Sequence, residues 1–347
     1  MTILYLTNES NSQTTNFKNT DPIILGAQQT ERYLPILKNK NIGIVANQTS
    51  VIFNPEGYTH LVDSLLTLNI KIKKVFAPEH GFRGTADAGE YIKDGVDTGS
   101  GIPIVSLYGA NKIPNSAILS DLDVVVFDVQ DVGARFYTFL STLHYMMETC
   151  ANLGITILVL DRPNPNGHYV DGPTLDLNYT SFVGMHPVPA VHGMTVGEYA
   201  QMINGEKWLK DGIQCNLNVI PVANYTHKDR YALPIKPSPN LNTQQAILLY
   251  PSLCLFEGTI ISQGRGTYQP FQVLGAPALE GKFSYAFSPK SIPGMSENPI
   301  HLGQNCYGVD LSNQQIGEQL NLDWILTFYK AYPNKKAFYQ YYSLFSE

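Results

Sequence analysis

Continuous apolar runs alternate with stretches in which apolar residues recur every three or four positions through the first half of the chain. "NIGIVANQTS" (41–50) reads as a buried strand ending in polar residues, "HLVDSLLTLN" (60–69) has helical spacing, and "IKIKKVFAPEH" (70–80) is a strand again. "DLDVVVFDVQDVG" (121–133) is the clearest buried strand. It leads into "RFYTFLSTLHYMMETCANLG", where Phe136, Phe139, Leu140, Leu143, Met147 and Cys150 mark one helical face and Gly154 the stop. "ITILVLDRPNP" (155–165) is a further apolar strand. Strands apolar throughout and separated by helices predict a parallel sheet covered on both faces, a doubly wound α/β arrangement.

The second half is more mixed. "MTVGEYAQMINGEKWL" predicts a helix with Thr195 as N-cap and Glu198 three positions on, "CNLNVIPVANY" a strand, and 243–254 a helix between two Gly- and Pro-rich loops. The end, from "QQIGEQLNLDWILTFYK" to "YYSLFSE", reads as helical. The predicted organisation is a disordered leader over 1–22, an N-terminal domain over 23–185 and a smaller α/β (α+β) subdomain over 186–347.

Composition narrows the function classes. The chain has 347 residues and a net charge of −6 with no long basic run, which argues against nucleic acid as a partner. No apolar run reaches the roughly 18 residues of a membrane helix. The four cysteines, Cys150, Cys215, Cys254 and Cys306, form no C-x-x-C pair and read as buried free thiols. The Asn-, Ser- and Thr-rich N-terminus lacks a basic n-region and does not read as a signal peptide.

In an open parallel sheet the ligand crevice lies outside the carboxyl ends of the strands. Those ends are polar here: Asn47, Gln48 and Thr49 after the first strand, and Glu79, His80 and Arg83 after the second. Asp128, Gln130, Asp131 and Arg135 follow the third, and Asp161, Arg162 and Asn164 the fourth. A simple surface turn needs no acid, titratable base and fixed cation side by side, so a shared site is expected.

Several chemistries fail on spacing. No G-x-G-x-x-G follows a strand, no Walker A loop is present, and no G-x-S-x-G marks a nucleophile elbow. His80, Asp128, Asp131, His192 and Glu79 could serve a metal hydrolase, but neither H-E-x-x-H nor His-x-His spacing supports one, and no metal is expected. Paired carboxylates across a crevice suit glycoside hydrolysis. Glu79 is the better acid, because Phe76, Pro78 and Phe82 could keep it partly dry, whereas Arg83 could oppose that effect. Asp128 and Asp131 are candidates for the second carboxylate. Asp131 could equally close an Asx turn or cap a helix, and Asp128 could anchor Arg135 or the next helix. From the second half, His192 precedes a helix N-terminus, Asn240 sits in a proline-braced loop, and Glu257 and Arg265 flank "GTIISQG". Each has an ordinary structural reading; together they suggest the far wall of a cleft.

The strings "NQTS", "APEHGFRG", "DVQDVGARFYT", "LDRPNP", "VHGMTVGEYA", "PSPNL", "YPSLCLFEGT" and "GRGTYQPFQVLGAP", in this order, resemble the DUF1343 family, NamZ-type exo-β-N-acetylmuramidases of glycoside hydrolase family 171. The resemblance runs from about residue 23 to 330. It implies a Rossmann-like N-terminal subdomain, a smaller C-terminal one, a site between them, and no cofactor. It also implies removal of non-reducing terminal N-acetylmuramic acid from peptidoglycan fragments. The glutamate of the family's E-H-G-F motif falls on Glu79. The rest of that motif falls on His80, Gly81, Phe82 and Arg83, expected around the sugar, and Tyr137 joins the polar residues named above as a substrate-binding candidate. The lactyl carboxylate of muramic acid calls for a guanidinium, from Arg265, Arg135 or Arg162. Family members are usually exported, which implies a periplasmic or extracellular protein, whereas a chain complete as given would be cytoplasmic. They also usually continue through further C-terminal helices, so the second subdomain is expected to be truncated. A non-catalytic peptidoglycan-fragment binding protein is the alternative, and a metal-dependent hydrolase the third reading.

Overall fold

The computed structural model describes residues 21–79, 81–82 and 94–339. Most of the predicted leader, His80, Arg83 and the last eight positions of the predicted C-terminal helical segment lie outside these residues.

The apolar runs form the strands expected of them. The first is β1 (Ile42–Ala46), followed by the hairpin of β2 (Val51–Asn54) and β3 (Gly57–His60), then β4 (Ile72–Ala77), β5 (Gly95–Val96), β6 (Pro103–Ser106), β7 (Val124–Asp128), β8 (Thr156–Leu160) and β9 (Leu217–Ile220). The main sheet has the order β5-β6-β4-β1-β7-β8-β9, parallel except for the edge strand β5. Strand β9 comes from chain beyond residue 185, so the sheet draws on both predicted domains. A second sheet, β10 (Val273–Ala276), β11 (Tyr285–Phe287) and β12 (Cys306–Asp310), is antiparallel with β12 central.

The helices are α1 (Thr30–Leu37), α2 (Leu61–Thr67), α3 (Ser116–Leu119), α4 (Phe139–Leu153), α5 (Val196–Gly205), α6 (Gln244–Leu253) and α7 (Asp323–Ala331). Helix α4 stops where Gly154 turns left-handed at φ 67°, and α5 starts with the expected capping box of Thr195 and Glu198. Residues 314–322, predicted helical, are irregular. Much of this run is polar and exposed, so it offers no apolar face for packing.

Period-2 alternation divides the strands between two cores. Val45, Val125, Phe127, Ile157 and Val159 face one side; Ile44, Val124, Val126, Leu158 and Leu160 face the other. Residues of α1 and α2 cover the second face, with Tyr33, Leu37, Leu61 and Leu65. Residues of α4 and α5 cover the first, and that core runs without a break into Ile247, Leu253, Phe256 and Phe328 of the second lobe. The two lobes therefore share one core and grip each other through apolar side chains.

Within that core lies a buried polar thread. His144 of α4 and His186 share a hydrogen bond of 2.9 Å, and His186 meets the Tyr199 hydroxyl at 3.2 Å. His186 also stacks on Trp208. Burial, followed by the neighbouring His144, pushes the His186 pKa down to about 3. His186 is thus neutral in the fold, while its unfolded counterpart gains a proton below about 6.5. Its stabilising contribution is complete above that pH and is lost progressively as the pH falls toward 3. Chemical denaturation at pH 6, 5 and 4 should show unfolding free energy falling with pH. In H186Q the slope should be shallower by roughly 1 kcal/mol per pH unit; parallel slopes would refute the assignment.

Candidate active site

Glu79 stands just past the carboxyl end of β4, where the chain turns at Pro78 with Gly81 N–H bonded to the Pro78 carbonyl at 3.0 Å. It lines a cavity of about 220 Å³ between the lobes. Phe136, Tyr137 and Thr138 come to the wall from the loop between β7 and α4, and Ser238, Asn240 and Leu241 from the loop before α6. Tyr250, Cys254, Glu257, Arg265 and Phe271 complete the second-lobe side. The volume is below the roughly 300–1,000 Å³ of pockets for drug-sized ligands, and suits a single sugar ring better than an extended chain.

The cavity has an aromatic side and a charged side. Tyr137 meets Phe139 and Tyr250 edge-on at centroid distances of 4.8 and 5.9 Å, and Tyr250 meets Phe271 at 5.0 Å. Burial, then the charges of Asp131 and Glu79, raises the Tyr137 pKa well above its ordinary value, so this phenol stays protonated. Arg265 lies over the Phe271 ring at 5.1 Å and bonds Glu257 Oε1 through Nη2 at 2.5 Å. Burial opposes the charge on Arg265, but Glu257, then Tyr250 and Glu79, outweigh it and hold the guanidinium charged. The Thr138 hydroxyl donates to Glu79 Oε2 at 3.1 Å. Asn240 donates to the Met295 carbonyl at 2.7 Å, while its own buried carbonyl oxygen has no partner among the described residues.

Five of the residues singled out from the sequence therefore share this cavity: Glu79, Tyr137, Asn240, Glu257 and Arg265. The other described candidates are engaged elsewhere. Asp128 anchors neither Arg135 nor α4. It accepts Nε and Nη2 of Arg162 at 2.6 and 3.0 Å, with both side chains buried. That pair engages one of the two candidates for the second carboxylate and one of the three guanidinium groups expected at the substrate. Arg135 bonds the Pro173 and Val188 carbonyls through Nη1. Asp131 closes an Asx turn onto Gly133 N–H at 2.7 Å and lies 3.8 Å from His192 Nε2. His192 Nδ1 accepts from Met194 N–H. Asn47 ties its own turn through two bonds from Thr49, and Gln130 donates to the Asp131 and Pro163 carbonyls. Asn164 bridges Asn166 and Met194. It sits so close to Gly133 (φ 78°) that a β-carbon there would come within 2.1 Å of its Oδ1.

Sequence reasoning passed over Tyr108, Thr138, Cys254 and Tyr250. Tyr108 follows β6, a short strand whose run "IPIVSL" is broken by a proline; the strand-end rule, applied there, would have found it. Thr138 and Cys254 sat inside strings already quoted, but a single hydroxyl or thiol in an apolar context carries no distinguishing pattern. No group of three or more His, Cys, Asp or Glu side chains suited to a metal occurs among the described residues. None of their helices is long and apolar enough to cross a membrane.

Two family models match the chain: exo-β-N-acetylmuramidase NamZ, N-terminal, over residues 42–245, and its C-terminal counterpart over 248–344. The peptidoglycan β-N-acetylmuramidase NamZ of Bacillus subtilis (strain 168) is 38% identical over 328 residues, covering 88% of this chain and 77% of that protein. A crystal structure of a DUF1343 family protein from Bacteroides fragilis superposes with a TM-score of 0.84 at 47% identity, covering 94% of this chain and 88% of that one. A second DUF1343 structure from the same organism gives 0.69 at 28% identity, over 83% and 76% of the two chains.

Leaving Arg162 charged and buried without its carboxylate should be costly. D128N is expected to lose about 3–5 kcal/mol of unfolding free energy, measured by guanidinium denaturation. A loss under about 1 kcal/mol would mean that Asp128 is not the structural partner of Arg162.

Proposed function

The chain belongs to the NamZ exo-β-N-acetylmuramidase family, and from that membership and the cleft geometry we propose that it hydrolyses the bond of non-reducing terminal β-N-acetylmuramic acid in peptidoglycan fragments, with Glu79 as catalytic carboxyl. The observation that carries the assignment of Glu79 is its place in the cavity that the Glu257–Arg265 pair also lines. A pocket of this size suits a single sugar ring, such as the terminal residue on which an exo-acting glycosidase works. Hydrolysis transfers a proton to the departing glycosidic oxygen and adds water at the anomeric carbon, work for which glycosidases use carboxyl groups. Glu79 and Glu257 are the carboxyl groups lining the cavity among the described residues.

Arg265 fits the lactyl carboxylate that separates muramic acid from glucosamine. It is the guanidinium lining the cavity among the described residues, and Glu257 occupies Nη2, so other N–H donors of its fork remain for a second carboxylate. The aromatic side of the cavity offers rings against which a pyranose face can pack. Asn240 supplies an acceptor for a sugar hydroxyl or acetamido N–H.

Release of nitrophenol from para-nitrophenyl β-N-acetylmuramide, with the N-acetylglucosaminide as control, tests the reading. The protein should act on the muramide and not on the control, and E79Q should lower kcat by at least ~100-fold. Full activity in E79Q would remove Glu79 from the mechanism. Absence of release by the folded protein would leave a peptidoglycan-fragment binding protein instead.

A further inference from the structure

A carboxyl group that acts on a bound sugar must be held in one orientation, and Glu79 stands just past the end of β4. Two hydroxyl-bearing residues stand at it, one on either flank of β4. Thr138 belongs to the loop after β7 and donates to Oε2 at 3.1 Å. Tyr108 follows β6, the neighbour of β4 on the other side, and stands two residues past Ser106, the register partner of Ala77, as Glu79 stands two past Ala77, which brings its phenol beside the same carboxyl group.

Both hydroxyls are set for this task. Thr138 is the N-cap of α4, and threonine at such a position ordinarily turns its hydroxyl onto the first-turn amides. Here the side chain makes no such bond. Its backbone carbonyl still accepts from Ser141 and Thr142 N–H, so the helix starts normally while the hydroxyl, buried with its residue, goes to Glu79. Tyr108 is half-buried against the core beneath α2, and its backbone N–H is fixed to Ser106 Oγ at 3.2 Å. Burial, then the nearby Glu79 carboxylate, raises the Tyr108 pKa, against a smaller opposing effect of Arg265. The phenol therefore keeps its proton and remains a donor.

We propose that Thr138 and Tyr108 are positioning residues that clamp the Glu79 carboxyl from two strand ends and aim it at the bound sugar. The inference rests on the reading of Glu79 as catalytic carboxyl. The clamp acts on the reacting geometry and not on the affinity of the pocket, so its loss falls on turnover. Misplacement of a reacting group by about 1 Å costs on the order of 100-fold in rate. T138V keeps the shape of the side chain and removes the hydroxyl; Y108F does the same for the phenol.

Kinetics on the nitrophenyl muramide should show kcat lowered about 10- to 100-fold in T138V and in Y108F, with KM changed less than about threefold. T138S, which retains the hydroxyl, should recover most of the loss. Melting temperatures recorded alongside separate this from unfolding. Equal losses in T138S and T138V, or a loss confined to KM, would overturn the clamp. A readout independent of turnover is the carboxyl ¹³C resonance of Glu79, identified by its disappearance in E79Q. It should move in T138V and Y108F and stay in T138S. An unmoved resonance would refute the clamp even if the chain proved inactive on the muramide, whereas an inactive parent with a moved resonance would refute the functional reading alone.

Discussion

The buried ion pair between Asp128 and Arg162 sets the arrangement of the carboxyl edge of the sheet. The second lobe covers much of that edge, and strand ends under protein carry amides and carbonyls that water cannot reach. The pair ties the end of β7 to the end of β8, and Arg162 reaches on to the Val51 carbonyl of the hairpin. Around it, Ser50, Thr49, Gln130 and Asn166 each bond a backbone group of a neighbouring loop. Much of the polarity at these strand ends thus satisfies buried backbone, and the cleft is built beside that network.

This explains how the sequence could be read correctly for the sheet and only in part for the site. Strands β1, β4, β7 and β8 were legible because burial on both faces forces an unbroken apolar run. Strand β6 was not, since a sheet position next to the edge relaxes that demand and Pro103 interrupts it. Polar residues after a strand announce that a strand end is buried. They do not announce whether the side chain turns toward the cleft or back to the loops. Asp128 and Glu79 look alike in that respect, yet one lies under the hairpin with Arg162 and the other faces the cavity. The difference is one of direction, fixed by chain that arrives from far away: Arg162 from β8, Thr138 from the approach to α4. The Glu257–Arg265 pair was visible as opposite charges eight positions apart, though not its place in one cavity with Glu79.

The shared core gives the cleft its definition. Since the core of one sheet face continues into α6 and α7, moving the lobes apart would expose apolar surface at about 25 cal/mol per Å². The line of rings from Phe139 through Tyr137 and Tyr250 to Phe271 crosses from the first lobe to the second. Arg265 rests on the last of them, so its distance from Glu79 is set by ring packing and not by a flexible loop alone.

The same dryness decides which chemistry the cavity can support. Cys254 is the thiol that lines it among the described residues and is the natural rival to a carboxyl as nucleophile. Burial and then the charge of Glu257 raise its pKa well above the ordinary value, and its Sγ points to Glu257 Oε2 at 3.6 Å. A thiol reacts as thiolate, so Cys254 is held in its unreactive form first by burial and then by the residue that holds Arg265 in its charged one. Glu257 thereby serves two ends at once: it suppresses the sulfur and orients the guanidinium. The chemistry at the first-lobe wall is left to Glu79, whose Oε2 accepts from the Thr138 hydroxyl, brought there by the loop that leads into α4.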